Sequence, residues 1–393
     1  MYDERHIEDR MNRKSARALL AGIALRTECL SPRSVDKPLV LYGAGNLGRM
    51  AHAYFSFLGI TVDLVVDANA ACLRDDPFWA GTRLIAPEEV PEKIRGSALL
   101  ALCVATAPNV PMVRDLAVSG WLDVVPFYDI AEFYRPRHPL SNGWYAPPLA
   151  ESDTDKIATA LDGWADDLSR AHHLQFIAWR RLREEWSFAD AAVTTGDRYF
   201  IPEVLSAVGP HPRILDVGAH QGEVARRFVE TFSGLEKLWM VEPDESSLES
   251  IETWLSTLDR DHEDKVDLFR CAVGGLSESR RFFSGLGYAS QFSPQGQGLL
   301  ETRTIDQLGL DPTYVKLHLE GWELDALSGA TGTLERSRPI IAATLYHNAL
   351  GLWETPLWLM RFLSGYRFYF RLHSWCGTGA VVYAVPDRGA QHG

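Results

Sequence analysis

Two glycine-rich turns, each between a short apolar segment and a helical stretch, constrain the fold of this chain more than any other feature. The first turn spans residues 43–48 and follows apolar residues 39–42; the second spans residues 216–222 and follows residues 214–215. Glycines in such turns allow a tight backbone path and close packing that a Cβ would prevent. Both segments are therefore predicted to be strand–turn–helix units of parallel sheets.

Apolar segments of strand length alternate with helical stretches in both halves of the sequence. Strands alternating with helices form right-handed crossovers over a parallel sheet. The last two segments are joined by a short turn around Gly377, so they should pair antiparallel. We predict the α/β class, with two Rossmann-like doubly wound domains, the second with an antiparallel last strand. The predicted strands are residues 39–42, 61–66, 98–105 and 122–127 in the first half, and 214–217, 238–241, 266–271, 314–319, 340–345, 366–373 and 379–385 in the second.

The length of 393 residues exceeds what one hydrophobic core usually organises, so two domains are expected. Apolar residues at helical spacing predict a leading helix within residues 5–29. The predicted division is an N-terminal helical segment at 1–37, a Rossmann-like nucleotide-binding-type domain at 38–148, a helical linker at 149–195 and a second α/β domain at 196–387.

Charge and cysteine content narrow the function classes. The 39 Lys and Arg against 52 Asp and Glu give a net charge of −13, which disfavours a nucleic-acid partner. The five cysteines lack the paired spacing of a zinc or redox site, and His172 and His173 have no third ligand at recognisable spacing, so no metal is predicted. The sequence indicates no membrane span, and we expect a cytoplasmic protein. A homo-oligomer is compatible with the sequence.

An acidic residue closes the strand that follows the second turn. Glu242 lies 26 residues after Asp216, and a doubly wound fold brings the end of its strand beside the turn. A carboxylate there can accept hydrogen bonds from both hydroxyls of a ribose. Because the turn lacks the Lys of a phosphate-binding loop, a nucleoside with a zwitterionic, cationic tail suits Asp216, and S-adenosylmethionine has this form. The alternative interpretation is a plain strand-to-helix turn with Glu242 as a helix N-cap acid.

Charged and titratable residues interrupt the predicted strand 314–319. At the two-residue period Lys316, His318 and Glu320 share one face, although a central parallel strand is normally apolar on both faces. They must reach a cleft or pair with one another, because an isolated buried charge is costly. His347 follows the next strand, and histidine suits general-base chemistry. The catalytic candidates are therefore Glu320, His318 and His347, against the alternative that each only satisfies structural hydrogen bonds.

Together these motifs resemble the FkbM family of S-adenosylmethionine-dependent methyltransferases, which act largely on hydroxyl groups of natural products and bacterial glycans. The resemblance covers residues 197–385 and includes the turn at 216–222, Glu242-Pro243 and the continuous segment 316–330. Further matching stretches are Arg198-Tyr199-Phe200, Ala272-Val273-Gly274, Thr304-Ile305-Asp306, Tyr346-His347 and residues 352–356.

The resemblance implies a class I methyltransferase sheet at 196–387, with Glu320 at the reaction site. One position departs from the family pattern, because the family usually has Asp where this chain has His318. Either His318 replaces that Asp as the base, or the substrate differs. The predicted cofactor-binding residues are Asp216, Gly218, His220, Gly222, Glu242 and Ala272.

The first turn fits the dinucleotide-binding fingerprint. Gly43, Gly45 and Gly48 lead from a strand into a helix, and Asp67 ends the next strand 19 residues after Gly48. The segment also resembles Rossmann-like N-terminal domains found beside enzymes of bacterial polysaccharide biosynthesis. Two interpretations stay open: a bound nucleotide or nucleotide-sugar, or a structural or docking domain.

The sequence thus predicts an S-adenosylmethionine-dependent O-methyltransferase acting on a hydroxyl of a glycan, a sugar or a natural-product small molecule. Proximity and orientation would aid in-line methyl transfer, with a base removing the hydroxyl proton. Two alternatives are an NAD(P)-dependent oxidoreductase that uses the first turn, and a binding or scaffold protein whose methyltransferase half has lost activity.

Overall fold

A computed structural model describes residues 2–285 and 289–387 of the chain. The chain divides into two compact units, each with a largely parallel sheet, so the predicted α/β class is confirmed. The first unit comprises Met1–Glu151, Leu174–Thr195 and Ser374–Thr378, and the second comprises Ser152–His173, Gly196–His373 and Gly379–Gly393.

The first unit is built on a five-stranded sheet in which every pairing is parallel. The strands of this unit are β1 (Asp3–Ile7), β2 (Leu39–Tyr42), β3 (Leu64–Val66), β4 (Leu84–Ile85), β5 (Leu99–Leu102), β6 (Val124–Pro126) and β7 (Glu184–Phe188). Across the sheet the order is β4-β3-β2-β5-β6. The central strands β2, β3 and β5 are almost fully buried, as expected of parallel strands covered on both faces.

The helices of the first unit are α1 (Arg13–Ala24), α2 (Asn46–Phe57), α3 (Ala70–Leu73), α4 (Glu92–Ser97), α5 (Asn109–Val118) and α6 (Phe127–Phe133). Four of them, α2 to α5, connect consecutive strands of the five-stranded sheet, whereas α1 precedes β2 and α6 follows β6. Two further helices follow in the chain, α7 (Glu151–Gly163) and α8 (Asp167–Leu182), and α8 contributes residues to both units.

The N-terminal segment differs from the predicted helix within residues 5–29. Its first residues form β1, which pairs in parallel with β7, and the helix is limited to α1. Asn12 caps that helix, accepting hydrogen bonds from the backbone N–H groups of Lys14 and Ser15. The predicted helical segment 1–37 and the predicted helical linker 149–195 therefore each contain a strand. Local periodicity cannot reveal β1 or β7, because the two strands are hydrogen-bonded to each other and lie far apart in the sequence.

The second unit contains a seven-stranded sheet. The strands of the unit are β8 (Arg213–Val217), β9 (Lys237–Val241), β10 (Val266–Phe269), β11 (Ala272–Val273), β12 (Ser279–Phe283), β13 (Gln291–Phe292), β14 (Gly298–Arg303), β15 (Tyr314–Leu317), β16 (Ile340–Thr344), β17 (Tyr366–Leu372) and β18 (Ala380–Pro386). Its helices are α9 (Pro202–Ala207), α10 (Glu223–Thr231), α11 (Glu245–Leu255), α12 (Arg260–Glu263), α13 (Glu323–Ser328), α14 (Thr331–Ser337) and α15 (Glu354–Phe362).

The seven-stranded sheet has the order β10-β9-β8-β15-β16-β18-β17. Strand β18 runs antiparallel to both β16 and β17, so the predicted antiparallel end of the sheet is confirmed. The carboxyl ends of β9, β8, β15 and β16 lie side by side at one edge, since these four strands are parallel neighbours. This edge carries the candidate site.

A second, smaller sheet of the same unit was not predicted. Strands β11, β14, β12 and β13 form it in that order, with one parallel and two antiparallel pairings. Most residues of β12 and β14 are exposed or half-buried. Their apolar alternation is therefore weak, and sequence periodicity does not detect them.

In the two ranges that the structure describes, no helix combines the length and the apolar character needed to cross a bilayer.

Candidate active site

The turn after β8 needs glycine at its first bend. Gly218 has φ +74°, and a Cβ on it would lie 2.1 Å from the backbone oxygen of His318. Gly222, with φ +79°, is the N-cap of α10. The N–H groups of Gly218 and Ala219 both donate to the backbone oxygen of Val241, at 2.9 and 3.1 Å. These contacts bind the turn to the ends of both neighbouring strands, β15 and β9.

Glu242 lies directly after β9 and joins the turn at 216–222 to the turn that follows β9 itself. Its Oε2 accepts a hydrogen bond from the backbone N–H of His220 at 2.8 Å, and its Oε1 accepts one from that of Asp244 at 2.9 Å. The residue is 6% exposed, and burial raises the pKa of its carboxyl to about 7. Because each carboxylate oxygen has a second lone pair, Glu242 can still accept hydrogen bonds from a ligand.

Asp216 and Lys316 form a buried ion pair beneath the turn. The two residues are cross-strand partners in β8 and β15, and Lys316 Nζ lies 2.7 Å from Asp216 Oδ1. The same ammonium group donates to the backbone oxygen of Gly218 at 2.7 Å. Burial raises the pKa of Asp216, an effect that Lys316 opposes. Lys316 therefore neither reaches a cleft nor pairs with His318 or Glu320, and its partner comes from the neighbouring strand.

His318, Glu320 and His347 converge at the ends of β15 and β16, and we call these three residues the polar cluster. His318 Nε2 lies 3.2 Å from Glu320 Oε1, and His347 Nδ1 lies 3.2 Å from Glu320 Oε2. Strand β15 ends at Leu317, and Glu320 has φ +51°, in the left-handed region. The chain therefore turns sharply after the strand, which explains how Glu320 faces His318. The structure thus brings together the three residues predicted as catalytic candidates.

The electrostatics of the polar cluster favour a neutral His318 and an ionised Glu320. Burial lowers the pKa of His318 to about 3, although Glu320 opposes this shift. Burial disfavours the charge of Glu320, but His347 and the hydrogen bonds from both histidines lower its pKa to about 2. The carboxylate is therefore charged and the His318 imidazole uncharged near neutral pH.

Two tyrosines that were not predicted as site residues contact His318. The hydroxyl of Tyr199 lies 3.3 Å from His318 Nδ1, and the hydroxyl of Tyr346 lies 3.1 Å from His318 Nε2. Arg198 donates to the Tyr346 hydroxyl at 3.0 Å. Tyr346 directly precedes His347, so its place after a strand was a usable signal. Tyr199 precedes α9 and the whole sheet, and nothing in its local sequence points to His318.

An open cavity of about 440 Å³ lies in the same unit. Most of the residues that line it are apolar or aromatic, and three are charged. It is lined by Lys156, Leu324, Trp353, Glu354, Leu357, Trp358, Arg361 and Phe362. Leu324 belongs to α13, which begins three residues after Glu320, and Trp353 follows His347 by six residues. Lys156 of α7 completes the lining, and no residue of the polar cluster belongs to it.

The remaining predicted cofactor residue, Ala272, lies in β11 and is buried. Its strand pairs with β14 in the smaller sheet rather than extending β10.

The turn at 43–48, in the other unit, is tightly packed around its glycines. Gly43 has φ +105°, and a Cβ on Gly48 would lie 2.0 Å from the backbone oxygen of Gly43. Gly45 is the N-cap of α2 and has open space around it. Asp67 Oδ2 accepts a hydrogen bond from Ala44 N at 2.7 Å, and its Oδ1 accepts one from Asn69 N at 2.7 Å. Asp67 thus joins two turns in the way that Glu242 does in the second unit.

Comparison with known proteins identifies a solved structure of similar fold and others with weaker matches. No protein-family model matches the chain, and no curated protein matches it in sequence. The structure of methyltransferase FkbM from Methylobacillus flagellatus matches over 94% of this chain and 98% of that chain, with a TM-score of 0.64 and 17% identity. The precorrin-6y C5,15-methyltransferase of Geobacter metallireducens matches 49% of this chain and 93% of its own, with a TM-score of 0.30 and 15% identity. The chain therefore has the fold of the M. flagellatus methyltransferase FkbM over nearly its whole length.

Proposed function

We propose that this protein is an S-adenosylmethionine-dependent methyltransferase that acts on a hydroxyl group of a glycan, a sugar or a natural-product small molecule. The proposal depends mainly on the placement of Glu242. Its buried carboxylate lies at the end of β9, and its two oxygens accept hydrogen bonds from N–H groups of adjacent turns. The likeness to a solved methyltransferase over both units supports the same assignment.

The residues around the second turn fit this cofactor. Glu242 would accept hydrogen bonds from the ribose hydroxyls. The close packing of Gly218 against the backbone oxygen of His318 holds the turn against the end of the sheet. Among the described residues, Asp216 Oδ2 has no hydrogen-bond partner, although the side chain is fully buried. Its carboxylate therefore suits a cationic group, and its pairing with Lys316 also fixes the turn. His220, Gly222 and Ala272 would complete the cofactor site.

S-adenosylmethionine, when bound, supplies an electrophilic methyl group. The polar cluster would hold the acceptor hydroxyl and receive its proton. His318, with 21% of its side chain exposed, is the member that an acceptor can approach, and Glu320 and His347 lie behind it. Correct placement of the acceptor oxygen supplies much of the rate enhancement in such reactions.

The acceptor would lie along the cavity lined by Trp353 and Trp358. Tryptophan faces offer apolar, polarisable surfaces that suit sugar rings and planar aromatic natural products. Lys156, Arg361 and Glu354 also line the cavity, and these polar groups suit an acceptor that carries many hydroxyl groups.

A second candidate function concerns the first unit alone. Because Asp67 reproduces the hydrogen bonding of Glu242 and Gly45 leaves open space, we propose that this turn binds a nucleotide or nucleotide-sugar. A thermal-shift screen of nucleotides against wild-type protein and Asp67→Ala tests it. Stabilisation that Asp67→Ala abolishes supports binding, and no stabilisation supports a structural or docking domain.

The methyltransferase proposal is tested by incubating the protein with radiolabelled S-adenosylmethionine and a panel of glycans and small alcohols. Label in a methyl ether supports the proposal. Binding of NAD(P) in calorimetry without binding of S-adenosylmethionine would instead favour an oxidoreductase. Binding of the methyl donor without any methylated product over the panel would favour a scaffold protein.

A further inference from the structure

We propose that the polar cluster is a metal site, in which His318, Glu320 and His347 bind one divalent transition-metal cation. Each residue offers one ligand atom, and these three atoms all lie within 4.8 Å of one another. Two imidazole nitrogens and one carboxylate oxygen are donors that Zn²⁺, Fe²⁺, Co²⁺ and Ni²⁺ accept readily. The metal-binding proposal stands without the proposed methyl transfer, and only its placement at the acceptor rests on that function.

The distances within the cluster suit a shared cation. Glu320 lies 3.2 Å from each histidine nitrogen that faces it. Ligand atoms about 2.1 Å from one metal ion are roughly 3.0 to 3.4 Å apart when they occupy adjacent coordination positions. The two contacts of Glu320 therefore match the spacing of ligands around a cation without a rearrangement of the backbone.

The second nitrogen of His318 has the support that metal-bound histidines usually have. His318 Nε2 faces Glu320, whereas its Nδ1 lies 3.3 Å from the hydroxyl of Tyr199. A ligating histidine commonly donates its other N–H to an oxygen, which fixes the ring orientation and the tautomer. When Tyr199 accepts that hydrogen bond, Nε2 carries the lone pair, and a cation would take it in place of the contact with the Tyr346 hydroxyl at 3.1 Å.

The charge balance of the cluster also calls for a cation. The Glu320 side chain is 5% exposed, and among the described residues no lysine or arginine forms an ion pair with it. Lys316, the nearest lysine along the strand, is paired with Asp216. A buried carboxylate that faces two histidines rather than a permanently charged side chain is only partly compensated, and a divalent ion would supply the missing charge.

The donor set selects among cations and leaves room for a substrate. Mg²⁺ and Ca²⁺ prefer all-oxygen sites, so two histidines favour a transition metal. Three protein ligands leave at least one coordination position open, as in catalytic rather than structural zinc sites. At the proposed acceptor site, that position would take the acceptor's hydroxyl oxygen and lower the pKa of the hydroxyl.

The test uses the full-length protein, dialysed against a chelator and re-equilibrated with Zn²⁺ alone before desalting and metal analysis. We expect about one equivalent of zinc in the wild type and less than about a tenth of that in Glu320→Gln and in His318→Ala. The matched control is His211→Ala, which changes an exposed histidine outside the cluster and should retain zinc like the wild type. Substitution with Co²⁺ should give the visible absorption bands of a nitrogen- and oxygen-ligated ion.

Zinc below about a tenth of an equivalent in the wild type overturns the proposal, because no variant has to fold for that result. Zinc retention by both cluster variants also overturns it. Calorimetry with S-adenosylmethionine on the same samples separates the two proposals. Zinc binding without binding of the methyl donor supports the metal site and contradicts the proposed function. Binding of the methyl donor without zinc binding contradicts the metal site and leaves the proposed function supported.

Discussion

Lys316 and Asp216 stand opposite each other in neighbouring strands, with Lys316 Nζ 2.7 Å from Asp216 Oδ1 and both side chains almost completely buried. The ammonium group also holds the backbone oxygen of Gly218, so this pair fixes the turn that follows β8. Removal of one partner leaves the other charge buried and uncompensated.

We expect Lys316→Met to lower the free energy of unfolding by about 3 to 5 kcal/mol, because Asp216 would lose its compensating charge. Urea denaturation followed by circular dichroism measures the loss. Lys237→Met is the matched control, since it removes a partly exposed pair with Asp267 at 3.0 Å. Exposed pairs contribute at most about 1 kcal/mol. Equal losses in the two variants would show that the buried pair has no special role.

Gly218→Ala should destabilise the second unit by at least about 2 kcal/mol, because φ +74° strains alanine and its Cβ would collide with the backbone oxygen of His318. Gly45→Ala provides the comparison, because Gly45 has φ −73° and open space around it. Its cost should be about 1 kcal/mol or less. Both values come from thermal or urea unfolding, and a harmless Gly218→Ala would contradict the close packing of the turn.

The affinity for S-adenosylmethionine should rise with pH between 6 and 8. Burial raises the pKa of Glu242 to about 7, so its carboxyl is mostly protonated at the lower pH and ionised at the higher one. Only the ionised form can accept hydrogen bonds from both ribose hydroxyls through both oxygens. With that pKa, the ionised fraction changes about tenfold over this range, and the dissociation constant should fall accordingly.

Glu242→Gln removes the titrating group from this comparison. Calorimetry at three pH values should give a weaker and nearly pH-independent affinity in this variant. A wild-type affinity that does not vary with pH, or a variant with the same pH dependence as the wild type, would disprove the role of Glu242 ionisation.

His318→Ala should reduce the rate of methyl transfer by about 10² to 10⁴, the range found for loss of a group that handles the proton. Binding of the methyl donor should be unchanged, because the proposed cofactor residues lie in β8, in the turns after β8 and β9, and in β11, and His318 is not among them. The exposed His211→Ala again serves as the control. A rate within a factor of about two of the wild type would exclude His318 from the reaction site.

The elements that carry the predicted cofactor site could be recognised from sequence because their signals are local. Glycines at a strand end and an acid at the end of the next strand are features of short segments, and the structure places Gly218 and Glu242 at one sheet edge. The two antiparallel segments around Gly377 were recognisable for the same reason. Strands β1 and β7 were not, because each depends on a partner that is distant in the chain.

The polar cluster shows what sequence patterns omit. His318, Glu320 and His347 were each identified as polar residues near a strand end, but their convergence depends on β15 and β16 being neighbours. A metal site was not predicted, because its third ligand lies 27 residues beyond Glu320 at no recognisable spacing. The partner of Lys316 was misjudged because the two-residue period describes one strand and not its neighbour.

Glu242 is proposed to bind the nucleoside of the methyl donor. The most direct measurement is calorimetric titration of S-adenosylhomocysteine into wild-type protein, Glu242→Ala and Asp67→Ala, the last being the corresponding acid of the first unit. We predict one-to-one binding by the wild type and Asp67→Ala, and at least a hundredfold weaker binding by Glu242→Ala, about 2.7 kcal/mol. No binding by the wild type, or loss of binding only in Asp67→Ala, would contradict this role of Glu242.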